Sequence, residues 1–265
     1  MKYFSFFKMC FNNGLQYRFS AVAGLMTQFF WGLMMLYLYE AFYKNGIATP
    51  MEWSKLVSYI WIGQAFYGLV FVRFMNKDIF DSLKTGQIAY EFVRPLNIYW
   101  MWFVKICAER LSACLLRLIP VVIFAILMPE PYKLGAPASI AHFILFIITL
   151  SFGVVITASL SMFVYIIMFH TTSCKGIFNI YGNIADFVSG MDYPLAFMPN
   201  AVKVVLLALP FSLCVDLPFR LYIGDISVME GLQKMAIQVV WMLVLVHLGQ
   251  RSMNSVSKKV IVQGG

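Results

Sequence analysis

Long apolar runs without charged residues constrain this chain most. Residues 134–169 contain no Lys, Arg, Asp or Glu, and residues 19–39 form a second charge-free run. A helix crosses the bilayer core, about 30 Å thick, with about 20 apolar residues. Both runs are long enough, so the sequence predicts an all-α polytopic membrane protein.

Composition supports this fold class and excludes others. Hydrophobic residues make up 61% of the chain and charged residues only 12%, against about 25% charged in ordinary soluble domains. So few charges could not cover a soluble surface, which excludes a cytosolic enzyme, a secreted disulfide scaffold and a disordered chain. The net charge of +8 fits the basic flanks that orient membrane spans, so we expect membrane lipid, not nucleic acid, as a partner.

The chain is interpreted as a single transmembrane domain, residues 1–265, with six spans. The fifth is the weakest because it carries three polar residues, and a topology of seven or eight spans is the alternative. The six apolar stretches cover residues 19–39, 56–74, 99–129, 134–169, 173–191 and 232–248.

Two further segments are predicted at the membrane without crossing it. Residues 2–18 place aromatic side chains at helical spacing, among them Phe4, Phe7 and Phe11, which is typical of an interfacial amphipathic helix. Residues 194–223 are apolar but interrupted by proline, and their longest charge-free run is too short to cross. We expect this second segment to form a re-entrant hairpin between spans five and six.

The distribution of Lys and Arg predicts the orientation. With six spans, both termini lie on the same side, and that side holds most of the basic residues, including the pair at residues 258–259. Basic residues accumulate in cytoplasmic segments. Both termini are therefore predicted to be cytoplasmic, and the 194–223 hairpin extracellular.

No catalytic or nucleotide-binding motif is visible. The sequence has no G-x-x-x-x-G-K-[ST] phosphate loop, no G-x-S-x-G elbow and no H-E-x-x-H pair. The five cysteines show no C-x-x-C or zinc-finger spacing. We predict that the chain is not an enzyme and holds no metal and no cofactor of its own.

The connection between spans two and three, residues 76–96, is the most informative segment. Asn76 or Asp78 can cap a helix there, and Gly86 can end it in a left-handed conformation. Arg94 and Pro95 then stop the segment, because the residue before proline is driven out of the helical region.

The short helix predicted in this connection is amphipathic. Its side chains Ile79, Phe80 and Leu83 share one face, and Asp81 and Lys84 point elsewhere. An apolar knob on a cytoplasmic helix is suited to docking in a groove of another protein. The alternative is an ordinary interfacial helix in a loop.

Polar residues within the spans are candidates for a translocation path. Arg117 lies in span three, where it either snorkels to the cytoplasmic interface or faces a cavity and attracts an anionic group. Asn179, Asn183 and Asp186 are predicted to share one face of span five, which either lines a path or hydrogen-bonds to a neighbouring helix.

The order of these parts resembles the ABC transporter type-2 permease family. The likeness extends over nearly the whole chain and includes two local runs. Residues 86–97 read Gly-Gln-Ile-Ala-Tyr-Glu-Phe-Val-Arg-Pro-Leu-Asn, and residues 189–195 read Ser-Gly-Met-Asp-Tyr-Pro-Leu. Both are similar to one bacterial subfamily of these permeases.

This resemblance implies a permease subunit of an ATP-driven exporter in the bacterial cytoplasmic membrane. Two permease chains would form the path, with a heterodimer favoured over a homodimer, and two copies of a separate ATPase would bind ATP and Mg²⁺. The resemblance also makes residues 78–84 a coupling helix, with Glu91 and Arg94 fixing its pose or contacting the ATPase. The coupling residues it implies are Asp78, Ile79, Phe80, Asp81, Leu83, Lys84, Gly86, Glu91, Arg94 and Pro95.

Two other functions stay open from the residues alone. A secondary transporter would need ionisable groups near the bilayer midplane and usually an internal repeat; only Asp186 fits, and no repeat is visible. A membrane scaffold or immunity protein would only bind partners, so leucine at Asn183 and Asp186 would leave its function intact.

Overall fold

A computed structural model describes residues 2–16, 18–45, 49–71, 75–171, 174–191 and 193–258. Predictions that concern residues 17, 72–74, 173, 192 and 259 fall outside these residues. The described residues form twelve α-helices and one short 3₁₀ turn, Leu195–Phe197. The helices are α1 (Lys2–Gln16), α2 (Arg18–Lys44), α3 (Trp53–Val70), α4 (Lys77–Thr85), α5 (Ala89–Phe92), α6 (Ile98–Leu127), α7 (Ile140–Met168), α8 (Cys174–Ser189), α9 (Asn200–Ala208), α10 (Pro210–Cys214), α11 (Asp216–Tyr222) and α12 (Val228–Ser257).

Each predicted span overlaps one of these helices within the described residues. Among the described residues, four helical segments are long and apolar enough to cross a membrane, which supports a polytopic membrane protein; they are Val22–Lys44, Ile98–Leu127, Ile140–Met168 and Val228–Ser257. The helices at the second and fifth predicted spans are shorter, with 18 residues in α3 and 16 in α8.

Helix α6 is the centre of the bundle, where it packs against α1, α2, α3 and α7. Helix α1 lies along its first half: the Tyr3 hydroxyl accepts a hydrogen bond from the Asn97 N–H, and Gly14 lies against Ser112. The face of α1 that includes Phe6 and Cys10 therefore contacts protein, whereas Phe4 on the predicted aromatic stripe is 73% exposed.

Residues 194–223 fold into three short helices that differ in burial. Helix α9 exposes Val204 and Val205, whereas α10 and α11 are buried against α7. Leu209 lies between α9 and α10 in an extended conformation, as expected for the residue before Pro210.

A buried arginine joins three helices where α3 ends. The Arg110 guanidinium on α6 donates hydrogen bonds to the carbonyls of Leu69 (3.3 Å) and Phe71 (2.7 Å) and to the Ser161 hydroxyl on α7 (3.1 Å). The last carbonyls of a helix have no partner within it. Arg110 therefore satisfies the end of α3 and fixes the point from which the chain leads to residue 76.

We predict that Arg110→Leu destabilises the protein by about 2 kcal/mol or more, because the buried carbonyls at the end of α3 lose their donors. Thermal unfolding of the purified protein in detergent measures the loss. Arg251→Leu is the matched control, because Arg251 is exposed. Equal unfolding temperatures for the two variants would contradict the role given to Arg110.

Candidate functional site

The 76–96 segment folds as a capped helix, α4, followed by a short stretch, residues 87–96, that leads back to α6 and is called the return. The Asn76 side chain accepts a hydrogen bond from the Ile79 N–H at 2.8 Å, and Gly86 adopts a left-handed φ of 75°. These contacts confirm Asn76, of the two candidates, as the N-cap and Gly86 as the C-cap. A residue with a Cβ would be strained at this positive φ, so glycine suits the position.

The apolar face of α4 is turned toward the protein, which corrects the expectation of an apolar knob offered to a partner. Ile79 is 2% exposed, and Phe80 and Leu83 pack partly buried against a core cluster that includes Trp102 and Tyr165. The ends of α6 and α7 that α4 meets are themselves apolar, so the amphipathic helix buries its apolar face against its own chain.

The opposite face of the segment is exposed and mixed in character. Asp78, Asp81 and Lys84 are exposed on α4, and Tyr90 and Val93 on the return are 75% and 84% exposed. Gly86, Arg94 and Pro95 are exposed as well. Sequence reasoning missed Tyr90 and Val93; an aromatic and a β-branched residue within a polar connection were the available signal.

Hydrogen bonds fix the beginning of the segment to α6 and α7. The Asn76 N–H donates to the Tyr165 hydroxyl at 2.7 Å, and the Asn76 side-chain amide donates to the Glu109 carboxylate. Two residues further along, Asp78 of α4 forms an ion pair with Lys105 at 2.6 Å. These contacts tie the start of α4 to the first half of α6.

The return is fixed to the same helix. The Glu91 carboxylate accepts a hydrogen bond from the Trp102 indole N–H at 3.3 Å, and Arg94 lies 3.9 Å from Glu91. Glu91 thus sits where it can hold the pose of the return, while the Arg94 side chain is half exposed.

A cavity of about 350 Å³ lies among α1, α4, the return and α6. Its walls include Cys10, Asn13 and Glu109, together with the ion pair of Asp78 and Lys105. Burial raises the pKa of the Cys10 thiol. The segment is therefore held by side-chain contacts that border this cavity.

A second cavity, of about 410 Å³, is lined by residues of α2, α3, α6, α8 and α11. Arg117 and Asp186 both line it, so these two predicted path residues face the same cavity. Asn179 and Asn183 are exposed on the outer side of α8, next to Ile180 and Ile184, and do not line the cavity. Helix α8 turns Asp186 inward and the two asparagines outward, so the three residues do not form the predicted single polar face.

Close approach of α2 and α6 determines where Arg117 lies. A Cβ at Gly24 would stand 2.5 Å from the guanidinium carbon of Arg117. The arginine side chain therefore lies across α2 at Gly24. Its Nε is buried and has no hydrogen-bond partner among the described residues.

Comparison with known families shows what kind of protein carries the 76–96 segment and the cavity lined by Arg117. The family model for ABC-2 family transporter proteins matches residues 31–259, which is most of the chain. The chain belongs to the ABC-2 transporter family. No curated protein matches it significantly.

Membership in the ABC-2 family identifies the chain as a membrane component of a transporter, which is not itself catalytic. Membrane components of this family normally work with an ATPase subunit. The matched region of this ABC-2 protein contains the 76–96 segment, Arg117 and Asp186. Helix α1 and the first part of α2 precede it.

We predict that Ile79→Ala loosens α4 without affecting the transmembrane helices. Removing a buried aliphatic side chain costs about 2–5 kcal/mol, and Ile79 is the most deeply buried side chain of α4. Hydrogen exchange of the amides of residues 77–85 is expected to speed up, while exchange in α7 stays unchanged. Asp81→Ala is the control on the exposed face, and equal exchange in both variants would contradict the inward packing.

Proposed function

We propose that this chain is the permease subunit of an ATP-driven exporter in the bacterial cytoplasmic membrane. It forms half of a translocation path together with a second permease chain, with a related, non-identical partner favoured. Two copies of a separate ATPase subunit bind ATP and Mg²⁺ and dock on its cytoplasmic side. The family match and the long apolar helices support this proposal.

The proposal includes six spans, with α3 and α8 crossing alongside the four longer helices. At 1.5 Å per residue, α3 extends about 27 Å and α8 about 24 Å, slightly less than a bilayer core of about 30 Å. Local thinning of the bilayer accommodates such short spans at modest cost. Residues 194–223 then lie on the extracellular side as a re-entrant hairpin, and both termini are cytoplasmic.

The exposed face of the 76–96 segment is the proposed ATPase-docking surface, defined as Asp78, Asp81, Lys84, Tyr90 and Val93. Protein interfaces favour an aromatic anchor surrounded by polar residues, and this surface has that composition. The observation that carries the assignment is the exposure of Tyr90 and Val93 beside a helix whose own apolar face is already buried.

In this proposal, the contacts beneath the docking surface transmit movement to the membrane. Pressure from the ATPases on α4 would reach α6 through Asp78–Lys105 and Asn76–Glu109, and α7 through Tyr165. Small shifts of packed helices are an ordinary means of transmitting such changes. Because α6 also carries Arg117, a shift of α6 would alter the cavity that it lines.

We predict that Tyr90→Asp together with Val93→Asp lowers co-purification of the cognate ATPase subunit at least tenfold. Loss of a central aromatic contact costs about 2 kcal/mol or more at an interface, and the added charges disfavour docking further. Substitution of Phe80 or Leu83 would be a poorer test, because both side chains pack against the protein's own core.

Met229→Asp is the matched control for this experiment. Met229 is 67% exposed at the start of α12, on the side that the proposal places outside the cell. Co-purification should be unchanged in this variant. If the Tyr90 and Val93 double variant still co-purified with the ATPase, the assignment of the docking surface would be refuted.

A further inference from the structure

The larger cavity is an elongated groove, not a compact pocket. Gly24, Gln28, Trp31, Met35 and Tyr39 all line it and follow one face of α2. At 1.5 Å per residue, the first and last of them are about 22 Å apart along the helix. A molecule filling the groove would therefore be long and narrow.

Gln28 is the most unusual residue of the groove. Its side chain is 4% exposed, and both its amide nitrogen and its amide oxygen are buried without a hydrogen-bond partner among the described residues. A buried polar group without a partner is costly. A carboxamide offers a donor and an acceptor side by side, so the group that complements it best is another amide.

A cation lies about one helical turn from this amide. The Arg117 guanidinium lies against Gly24, four residues before Gln28 on the same helix, and side chains at this spacing are about 5–6 Å apart. Among the described residues no carboxylate pairs with Arg117. A cation within a membrane domain that lacks a counter-charge attracts an anionic group.

The rest of the groove fixes the orientation of a guest molecule. Trp31 and Met35 provide an apolar wall beyond Gln28. Asp186 also lines the groove, about one helical turn before Gly190. The Gly190 carbonyl accepts a hydrogen bond from the Tyr59 hydroxyl at 3.3 Å. Tyr67 follows eight residues after Tyr59 on α3 and also lines the groove. Tyr67 interacts electrostatically with Arg117. Asp186 therefore lies toward the Tyr59 end of the groove, and Arg117 toward the Tyr67 end.

We infer that this groove binds an anionic amphiphile in which a carboxylate is followed by an amide and then by an elongated apolar body. The carboxylate pairs with Arg117, the amide with Gln28, and the body lies along Trp31 and Met35. N-acylated amino acids and the carboxyl ends of apolar peptides share this chemistry. The inference rests on the proposed function, since it names the class of molecule that the translocation path accepts.

Binding to the purified full-length chain in lipid nanodiscs, without ATP, tests this inference. The probe is N-dodecanoylglycine, measured by isothermal titration calorimetry. We expect saturable binding that weakens about tenfold or more in Arg117→Gln and about tenfold in Gln28→Leu, since each loses a hydrogen bond to a buried ligand. Arg117→Lys keeps the charge and should lose less. Asn183→Leu is the control outside the groove and should bind normally.

A second set of probes separates the sources of the ligand. An apolar peptide with a free carboxyl terminus that binds more tightly than N-dodecanoylglycine would identify peptides as the source, and the reverse order would identify acylated amino acids. The same peptide with an amidated terminus, and dodecyltrimethylammonium, should bind at least tenfold more weakly. Equal binding of the cationic and anionic amphiphiles, or no saturable binding at all, would overturn the inference.

Gly24→Ala tests the groove if Arg117→Gln does not fold. The added methyl group would stand 2.5 Å from the guanidinium carbon and would displace this flexible side chain, so binding should weaken while the charge remains. Unchanged binding in both Gly24→Ala and Gln28→Leu would refute the site. Because no ATPase takes part, failure here is distinct from failure of ATPase docking.

Discussion

The buried guanidinium of Arg110 is the contact on which the functional architecture depends. It bonds to the carbonyls at the end of α3 and to Ser161 on α7, so it fixes where the chain leaves the bundle toward the 76–96 segment. The cost of burying such a charge is offset only when its donors are well used. With that exit point fixed, Asn76 can meet both Glu109 and Tyr165.

The consequence is a helix that packs against the membrane domain with one face and is exposed on the other. Helix α4 buries Ile79 and keeps Asp81 exposed. The same helix α6 that holds α4 through Lys105 also carries Arg117 into the groove. The proposed docking surface and the groove are therefore both attached to α6, as the proposed coupling between an ATPase and a path requires.

Much of this fold could be predicted from the sequence, because membrane spans and helix caps are local signals. Apolar runs of sufficient length located the helices, and the Asn76 and Gly86 caps followed from single residues with specific backbone preferences. The family resemblance also followed from the order of segments, and the family match confirms it.

The direction in which amphipathic faces point could not be predicted, because it depends on which neighbour offers apolar surface. Helix α4 meets Trp102 and Tyr165 of its own chain, so its apolar face is used internally. Likewise, the spacing of Asn179, Asn183 and Asp186 did not reveal that only Asp186 faces the cavity. Among the described residues, the Gln28 amide lacks a hydrogen-bond partner because of how helices distant in sequence pack around it. The residues next to Gln28 in the sequence therefore gave no signal of it.

Site-specific photo-crosslinking in intact membranes tests the central claim most directly. A photoreactive amino acid is placed at residue 81, 90 or 93 of the exposed face, or at buried residue 79 as a control, in cells that also produce the ATPase subunit. The account predicts crosslinks to the ATPase from the three exposed positions and none from residue 79. Crosslinking from residue 79 alone, or from none of the four positions, would contradict it.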